Sequence, residues 1–190
     1  MKKPAIDTAR IEAAYREILA ALGEDMEREG LLRTPSRIAK LYSEIFSDIH
    51  SDPGELLEIS YTEDHSELVL VKDIPLYSMC EHHFLPFFGK AHVAYIPKGG
   101  KIVGIGKLAQ VTEAFARRPQ LQERLTTQIA DCLHNRLNPF GVMVVIEAEH
   151  MCMSMRGDQK PGAQIFTSAV RGIFERNAAT RAELLSLINH

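Results

Sequence analysis

The chain has 190 residues, 45% hydrophobic and 25% charged, which are values of a folded globular protein and exclude disordered, collagen-like and low-complexity classes. Its 22 basic and 25 acidic residues leave a net charge of -3, so no sequence-wide field attracts nucleic acid or an acidic membrane, and any anion site must be local. No apolar run approaches the roughly 18 to 20 residues of a membrane span, the start MKKPAIDTAR turns polar where a signal peptide needs its apolar core, and Cys80, Cys132 and Cys152 are too few and too far apart for a disulfide framework, so a cytoplasmic protein is expected.

In chain order, Ile11, Tyr15, Ile18 and Leu22 recur at helical spacing over residues 7–22, with Asp7 or Thr8 as cap and Gly23 as stop. Thr34-Pro35 opens a second helix whose apolar face is Ile38, Leu41, Tyr42, Ile45 and Ile49. The Asp-, Glu- and Ser-rich stretch 51–66 reads as a connection, so residues 1–66 form a helical arm and 67–190 the main body. Five β-branched segments bounded by Gly or Pro predict strands: ELVLVKDI, GKAHVAYIP, KIVGI, GVMVVIEAEH and AQIFTSAVRG. KLAQVTEAFARR and PQLQERLTTQIADCLHNRL have helical period and meet at Pro119, and a last helix covers about 178–188. This order predicts an α+β fold with a mainly antiparallel sheet.

The densest chemical signal is Ser78-Met79-Cys80-Glu81-His82-His83. Cys-x-x-His leaves a metal short of ligands, and a second half-site stands at Glu149-His150-Met151-Cys152, where strand alternation would turn His150 and Cys152 to one face. Cys80, His83 and Cys152 together make a Cys2His set with the fourth tetrahedral position open, the pattern of catalytic zinc. His82 and His150 then remain beside the metal as candidate proton carriers. His50, His65, His92, His134 and His190 lack such company, and Cys132 falls on the apolar helix face of Leu121, Leu125, Ile129 and Leu133, so it is excluded from the metal.

Gly104-Ile105-Gly106-Lys107-Leu108-Ala109 matches the loose dinucleotide pattern G-x-G-x-x-A, but the acidic residue about 20 positions on, Glu123, falls inside a helix, and Lys101 and Leu108 break a Walker loop. What remains is a helix amino terminus carrying Lys107, either a local phosphate site or a tight turn.

The segments TPSRIAKLY, SMCEHHFLPFFGK, VAYIPKGGK, RPQLQERLTTQI, GVMVVIEAEHMCMSMRG and TSAVRGIF resemble GTP cyclohydrolase I from about Thr34 to the carboxyl terminus. The resemblance implies the tunnelling fold, an antiparallel sheet with two long helices on one face that closes into a barrel across subunits, in a homodecamer with active sites at subunit interfaces. It implies Zn2+ on Cys80, His83 and Cys152, catalytic His82 and His150, a guanine anchor at Glu123 with Gln122 beside it, and triphosphate ligands Arg37, Lys107 and Arg156. The implied reaction hydrolyses the guanine imidazole ring of GTP to give formate and 7,8-dihydroneopterin triphosphate, the first step toward folate-type pterins. This chain departs from the family pattern G-[LI]-S-K-[LI]-x-R at Gly106 and Gln110, which keeps open a related tunnelling-fold enzyme acting on another purine or pterin nucleotide.

Overall fold

The computed structural model of the protein describes residues 5–57, 59–157 and 159–190. The chain divides into two compact units, Met1–Ser51 and Asp52–His190. In the first, α1 (Thr8–Ala21) starts where the Asp7 side chain accepts a hydrogen bond from the Arg10 amide at 3.0 Å. The second helix, α2 (Thr34–Ile45), has Pro35 in its first turn, where the missing N–H costs nothing. The two helices meet through the Tyr15 and Tyr42 hydroxyls, 2.7 Å apart, with the rings edge to face. Helix α2 ends at Ile45 rather than Ile49, because Ser51 donates to the Asp48 carbonyl and Ser47 bonds the Asp48 carboxylate, local bonds that compete with the helix ladder.

The second unit begins with a 3-10 turn at Pro53–Leu56, whose Pro53 and Gly54 are buried, so part of the polar connection read at 51–66 packs with the main body. There follow β1 (Ile59–Thr62), β2 (Val69–Cys80), β3 (Pro86–Ile96), β4 (Lys101–Val103), α3 (Ile105–Ala116), β5 (Pro119–Gln120), α4 (Gln122–Leu137), β6 (Gly141–His150), α5 (Met151–Ser154), β7 (Gln164–Gly172), α6 (Ile173–Arg176) and α7 (Ala178–Asn189). Strands β2, β3, β6 and β7 pair antiparallel in that spatial order, with β5 parallel on the outer edge of β2; β1 and β4 form a separate two-stranded sheet. The α+β class and the antiparallel sheet agree with the sequence reading.

Strand β2 runs six residues beyond the expected ELVLVKDI, through Pro75-Leu76-Tyr77-Ser78-Met79-Cys80. Proline and serine resemble turn residues there, yet Leu76, Ser78 and Cys80 alternate inward, and the buried Ser78 hydroxyl donates to the Ala116 carbonyl at 2.7 Å. Pro75 is tolerated because β5 pairs with β2 only at Met79 and Cys80, leaving the ladder open beside the proline.

One sheet face is covered by α3 and α4. Leu108, Val111, Leu125, Ile129 and Leu133 from the helices meet Leu76, Phe87, Ala91, Val93, Val144 and Ile146 from the strands, all with essentially no exposure. Full burial of each large aliphatic side chain stabilises the fold by roughly 1.5 to 3 kcal/mol. A smaller cluster of Ala94, Met143, Phe174 and Leu184 lies on the opposite face, supplied by α6 and α7.

Beyond that cluster the opposite face carries a polar group around His92, whose ring is buried. Asp73 bulges from β2 with φ of 57°, and its amide donates to His92 Nδ1 at 3.2 Å, which requires that nitrogen to be unprotonated. Asp73 and Glu147 favour the charged ring, Lys90 and Lys72 oppose it, and burial outweighs both, so the His92 pKa falls below its ordinary value. The unfolded chain therefore binds a proton near pH 6.5 that the folded chain refuses, and stability decreases as pH falls below about 6.5. Melting temperatures at pH 7.5 and 5.5 are expected to drop about 2 to 4 °C further for the wild type than for His92→Gln. Equal drops in the two proteins would remove His92 from the account.

Candidate active site

Cys80 ends β2 with its side chain turned toward α3 and α4, and it is 5% exposed. The chain then turns over residues 81–85, closed by the Cys80 amide donating to the Leu85 carbonyl and the Phe84 amide to the Cys80 carbonyl, both at 2.9 Å. This turn puts His82 and His83 at the surface, with ring centroids 6.3 Å apart. Parallel pairing of Cys80 with Gln120, and the Glu81 amide donating to the Gln120 carbonyl at 3.0 Å, tie the turn to the start of α4. A two-pronged ion pair adds to this tie: both guanidinium nitrogens of Arg124 donate to the Glu81 carboxylate, which Arg124 holds below the usual carboxylate range.

His150 continues the inward row Val142, Val144, Ile146 and Ala148 of β6 and is 9% exposed. Its partner across the antiparallel pair is Phe87, and the two rings stack in parallel planes with centroids 4.5 Å apart. Ring Nε2 lies 2.8 Å from Gln122 Oε1. Burial lowers the His150 pKa, and the charge of Glu123 pulls it the other way.

The strand stops at His150, so Cys152 sits on the short helical turn α5 and not on a continuing strand as the alternation predicted. The turn still returns its sulfur to the first half-site, with Cys152 Sγ 3.9 Å from Cys80 Sγ. The ligand atoms of Cys80, His83 and Cys152 all lie within 4.8 Å of one another. Glu149 holds the segment in place: its carboxylate accepts from the Ser154 hydroxyl at 2.6 Å and from the Gly162 amide at 3.0 Å, bonds that keep its pKa low.

The donor chemistry fits zinc. Two thiols and an imidazole are a borderline-soft set, and bonds of about 2.3 Å in a tetrahedron put two sulfurs about 3.8 Å apart, close to the 3.9 Å found. Burial and the neighbouring Cys80 raise the Cys152 pKa. Cys132 packs against the core from α4, apart from this cluster, and burial raises its pKa.

The other expected residues lie on α2, α3, α4 and the segment after α5. Glu123 is exposed in the first turn of α4, near enough to act electrostatically on His150. Arg156 is exposed, and its charge acts on the Cys152 thiol. Lys107 is half-buried in the first turn of α3, Gln110 is exposed one turn on, and Gly106 faces open space. Arg37 is exposed on α2 of the other unit. Gln122, expected beside Glu123 at a guanine, is instead buried with its amide engaged inside the protein. Phe87, Glu149 and the Glu81–Arg124 pair were not legible as site residues, since each acts through a partner distant in sequence or in a different element.

A family model described as GTP cyclohydrolase I matches residues 11–189. Proteins named GTP cyclohydrolase 1 from Carboxydothermus hydrogenoformans and Pelotomaculum thermopropionicum are each 64% identical to this chain, over 185 residues (97% of this chain, 96% of the relative) and 182 residues (96% and 97%). One from Geobacillus sp. is 60% identical over 185 residues, covering 97% of this chain and 98% of the relative.

Because Glu149 is the acceptor that holds the 151–162 segment, Glu149→Ala should speed amide exchange at Gly162 by roughly tenfold or more, the equivalent of losing a charge-assisted hydrogen bond. Hydrogen exchange read by mass spectrometry checks this, and unchanged protection would show that Glu149 does not hold the segment.

Proposed function

The chain belongs to the GTP cyclohydrolase I family, and from that membership we propose its reaction: hydrolysis of the guanine imidazole ring of GTP, releasing formate from the former C8 and giving 7,8-dihydroneopterin triphosphate, which opens a route to folate-type pterins. It is a hydrolase acting on GTP. The observation that carries the reading is the Cys80, His83 and Cys152 cluster with the buried His150 beside it.

Cys80, His83 and Cys152 would hold Zn2+, which when bound supplies the Lewis acidity that makes water a nucleophile near neutral pH. His150 and the exposed His82 would carry protons to and from the ring nitrogens as the C8–N bonds open. The Glu123 carboxylate can accept two hydrogen bonds, from the ring N–H and the exocyclic amine of guanine, which supports it as the base anchor. Arg156, whose charge acts on the Cys152 thiol, is assigned to the triphosphate as a cation near the centre, and Lys107 and Arg37 on the resemblance alone.

The barrel shared between subunits, and a homodecamer with sites at subunit interfaces, are part of the same proposal. Two features support it. Strand β7 and the first half of β2 leave sheet edges without a strand partner among the described residues, and Tyr77, Phe88 and Phe166 are exposed on the face opposite α3 and α4. A second reading, another purine or pterin nucleotide as substrate, is favoured only by the neutral residues Gly106 and Gln110.

Formate release and the fluorescence of oxidised neopterin on incubation with GTP test the reaction. Cys80→Ser and Cys152→Ser should each lose bound zinc and turnover, while Cys132→Ala keeps both; full zinc with normal turnover in either serine variant would sink the metal assignment. At position 110 a neutral amide replaces a forked cation, and a hydrogen bond to a charged group contributes about 1.5 to 3 kcal/mol. Gln110→Arg should therefore lower the KM for GTP roughly tenfold with kcat nearly unchanged, because contacts remote from C8 bind ground and transition states alike. An equal gain for GMP would show that residue 110 does not face the distal phosphates.

A further inference from the structure

Gln122 stands in the first turn of α4 with 1% exposure, and both ends of its amide are engaged. Its Nε2 lies 2.9 Å from the Ile165 carbonyl, 3.1 Å from the Ile146 carbonyl and 3.1 Å from the Thr167 hydroxyl. Carbonyl oxygens only accept, so the NH2 group must be on that side and Oε1 must face the His150 ring, 2.8 Å from Nε2. An amide oxygen cannot donate. The hydrogen between them therefore belongs to His150 Nε2.

The direction of the chain is fixed from its other end as well. Thr126 Oγ1 donates to the Gln122 carbonyl at 2.7 Å, so in its 2.6 Å contact with Thr167 it can only accept. Thr167 then donates to Thr126, and its oxygen is left to accept from Gln122 Nε2. Every hydrogen from Thr126 to His150 has one permitted place. The Phe87 ring, parallel to the imidazole within 1°, holds the plane in which the His150 bond points. The His150 ring has no other hydrogen-bond partner among the described residues, and its Nδ1 is not a buried atom left without a partner, so Nδ1 is the nitrogen reached from the solvent side.

We infer that Gln122 is a positioning residue that locks neutral His150 as the Nε2–H tautomer, leaving Nδ1 as the nitrogen through which His150 exchanges a proton with the substrate. The inference rests on the proposed reaction, in which His150 is a proton carrier. It also separates Gln122 from its neighbour. The two N–H groups of the Gln122 amide already face three acceptors, so the recognition of guanine N–H groups falls to the Glu123 carboxylate. The unused residues Thr126 and Thr167 acquire a role in the same way, as the anchor that keeps the amide from flipping.

The test combines a spectrum with kinetics. In zinc-loaded, nucleotide-free protein labelled with 15N-histidine, solid-state NMR at pH 8 should give His150 a protonated Nε2 and an unprotonated Nδ1, with the signals assigned by their absence from His150→Gln. Gln122→Met keeps the length of the side chain and removes its donors and acceptor. It should lower kcat by about ten- to a hundredfold, less than the roughly hundred- to ten-thousandfold contribution of an acid–base group itself, leave the KM for GTP within about threefold, and let both tautomers appear. A wild-type ring protonated at Nδ1 overturns the inference, even if Gln122→Met fails to fold. A KM raised more than tenfold with unchanged kcat also overturns it and makes Gln122 a substrate ligand. Wild-type protein that gives the expected spectrum but releases no formate from GTP overturns the proposed reaction, and with it the use of Nδ1, while the locked tautomer stands.

Discussion

The register of β3 against β6 is the constraint on which the rest of the candidate site depends. Phe87 faces His150 and Gly89 faces Ala148 across that pair, and a slip of one residue would turn every side chain of β6 to the opposite face. The approach is so close at Gly89 that a Cβ there would lie 1.9 Å from the Glu147 carbonyl oxygen, so only glycine permits it. With β3 fixed between β2 and β6, the strand ends carrying Cys80 and His150 arrive at the same end of the sheet on the same face. Two half-sites far apart in sequence become one cluster because three strands stop together.

The helix-covered face of the sheet changes from apolar to polar within two residues of β6. Ala148 still belongs to the core, whereas His150 meets the Gln122 amide and the Phe87 ring. A buried polar group is costly unless its partners are present, and here each is: the Gln122 donors end on carbonyls of β6 and β7 and on Thr167. The same bonds that avoid an unpaired amide also join α4 to two strands. Rigidity of the core and orientation of the ring thus come from one hydrogen-bond chain.

Outside that chain, the site is held by charged contacts between segments that would otherwise be loops. Arg124 grips Glu81 in the turn carrying His82 and His83, and Glu149 holds the segment carrying Cys152 and Arg156. The Glu81–Arg124 ion pair is partly exposed and adds little to global stability, and the Glu149–Ser154 bond is partly buried; what both restrict is the freedom of short segments that bear the metal-cluster residues. Catalytic geometry requires this kind of support where strands and helices end, because loop backbone alone does not fix a side chain.

The sequence determined the elements and the chemical inventory. Periodicity placed the helices and most of the strands, since burial of one face is a local pattern that the chain carries along its length. The Cys-x-x-His motif and the His150–Cys152 pair were legible because metal and proton chemistry need those few residue types. Tertiary structure alone decided the rest. Strand β2 continues through Pro75 and Ser78 because a free edge and the Ala116 carbonyl receive them, conditions no local pattern encodes. Cys152 reaches Cys80 from a helical turn, not along a strand, because Glu149 bonds Ser154 and Gly162 and folds that segment back. Gln122 and Glu123 are adjacent in sequence, but the turn of α4 buries one against β6 and β7 and leaves the other exposed, so neighbours that look alike on the page differ in environment. A sequence states which donors and acceptors exist; which of them meet, and so which nitrogen of His150 carries the hydrogen, is settled only when the sheet and the helix are packed.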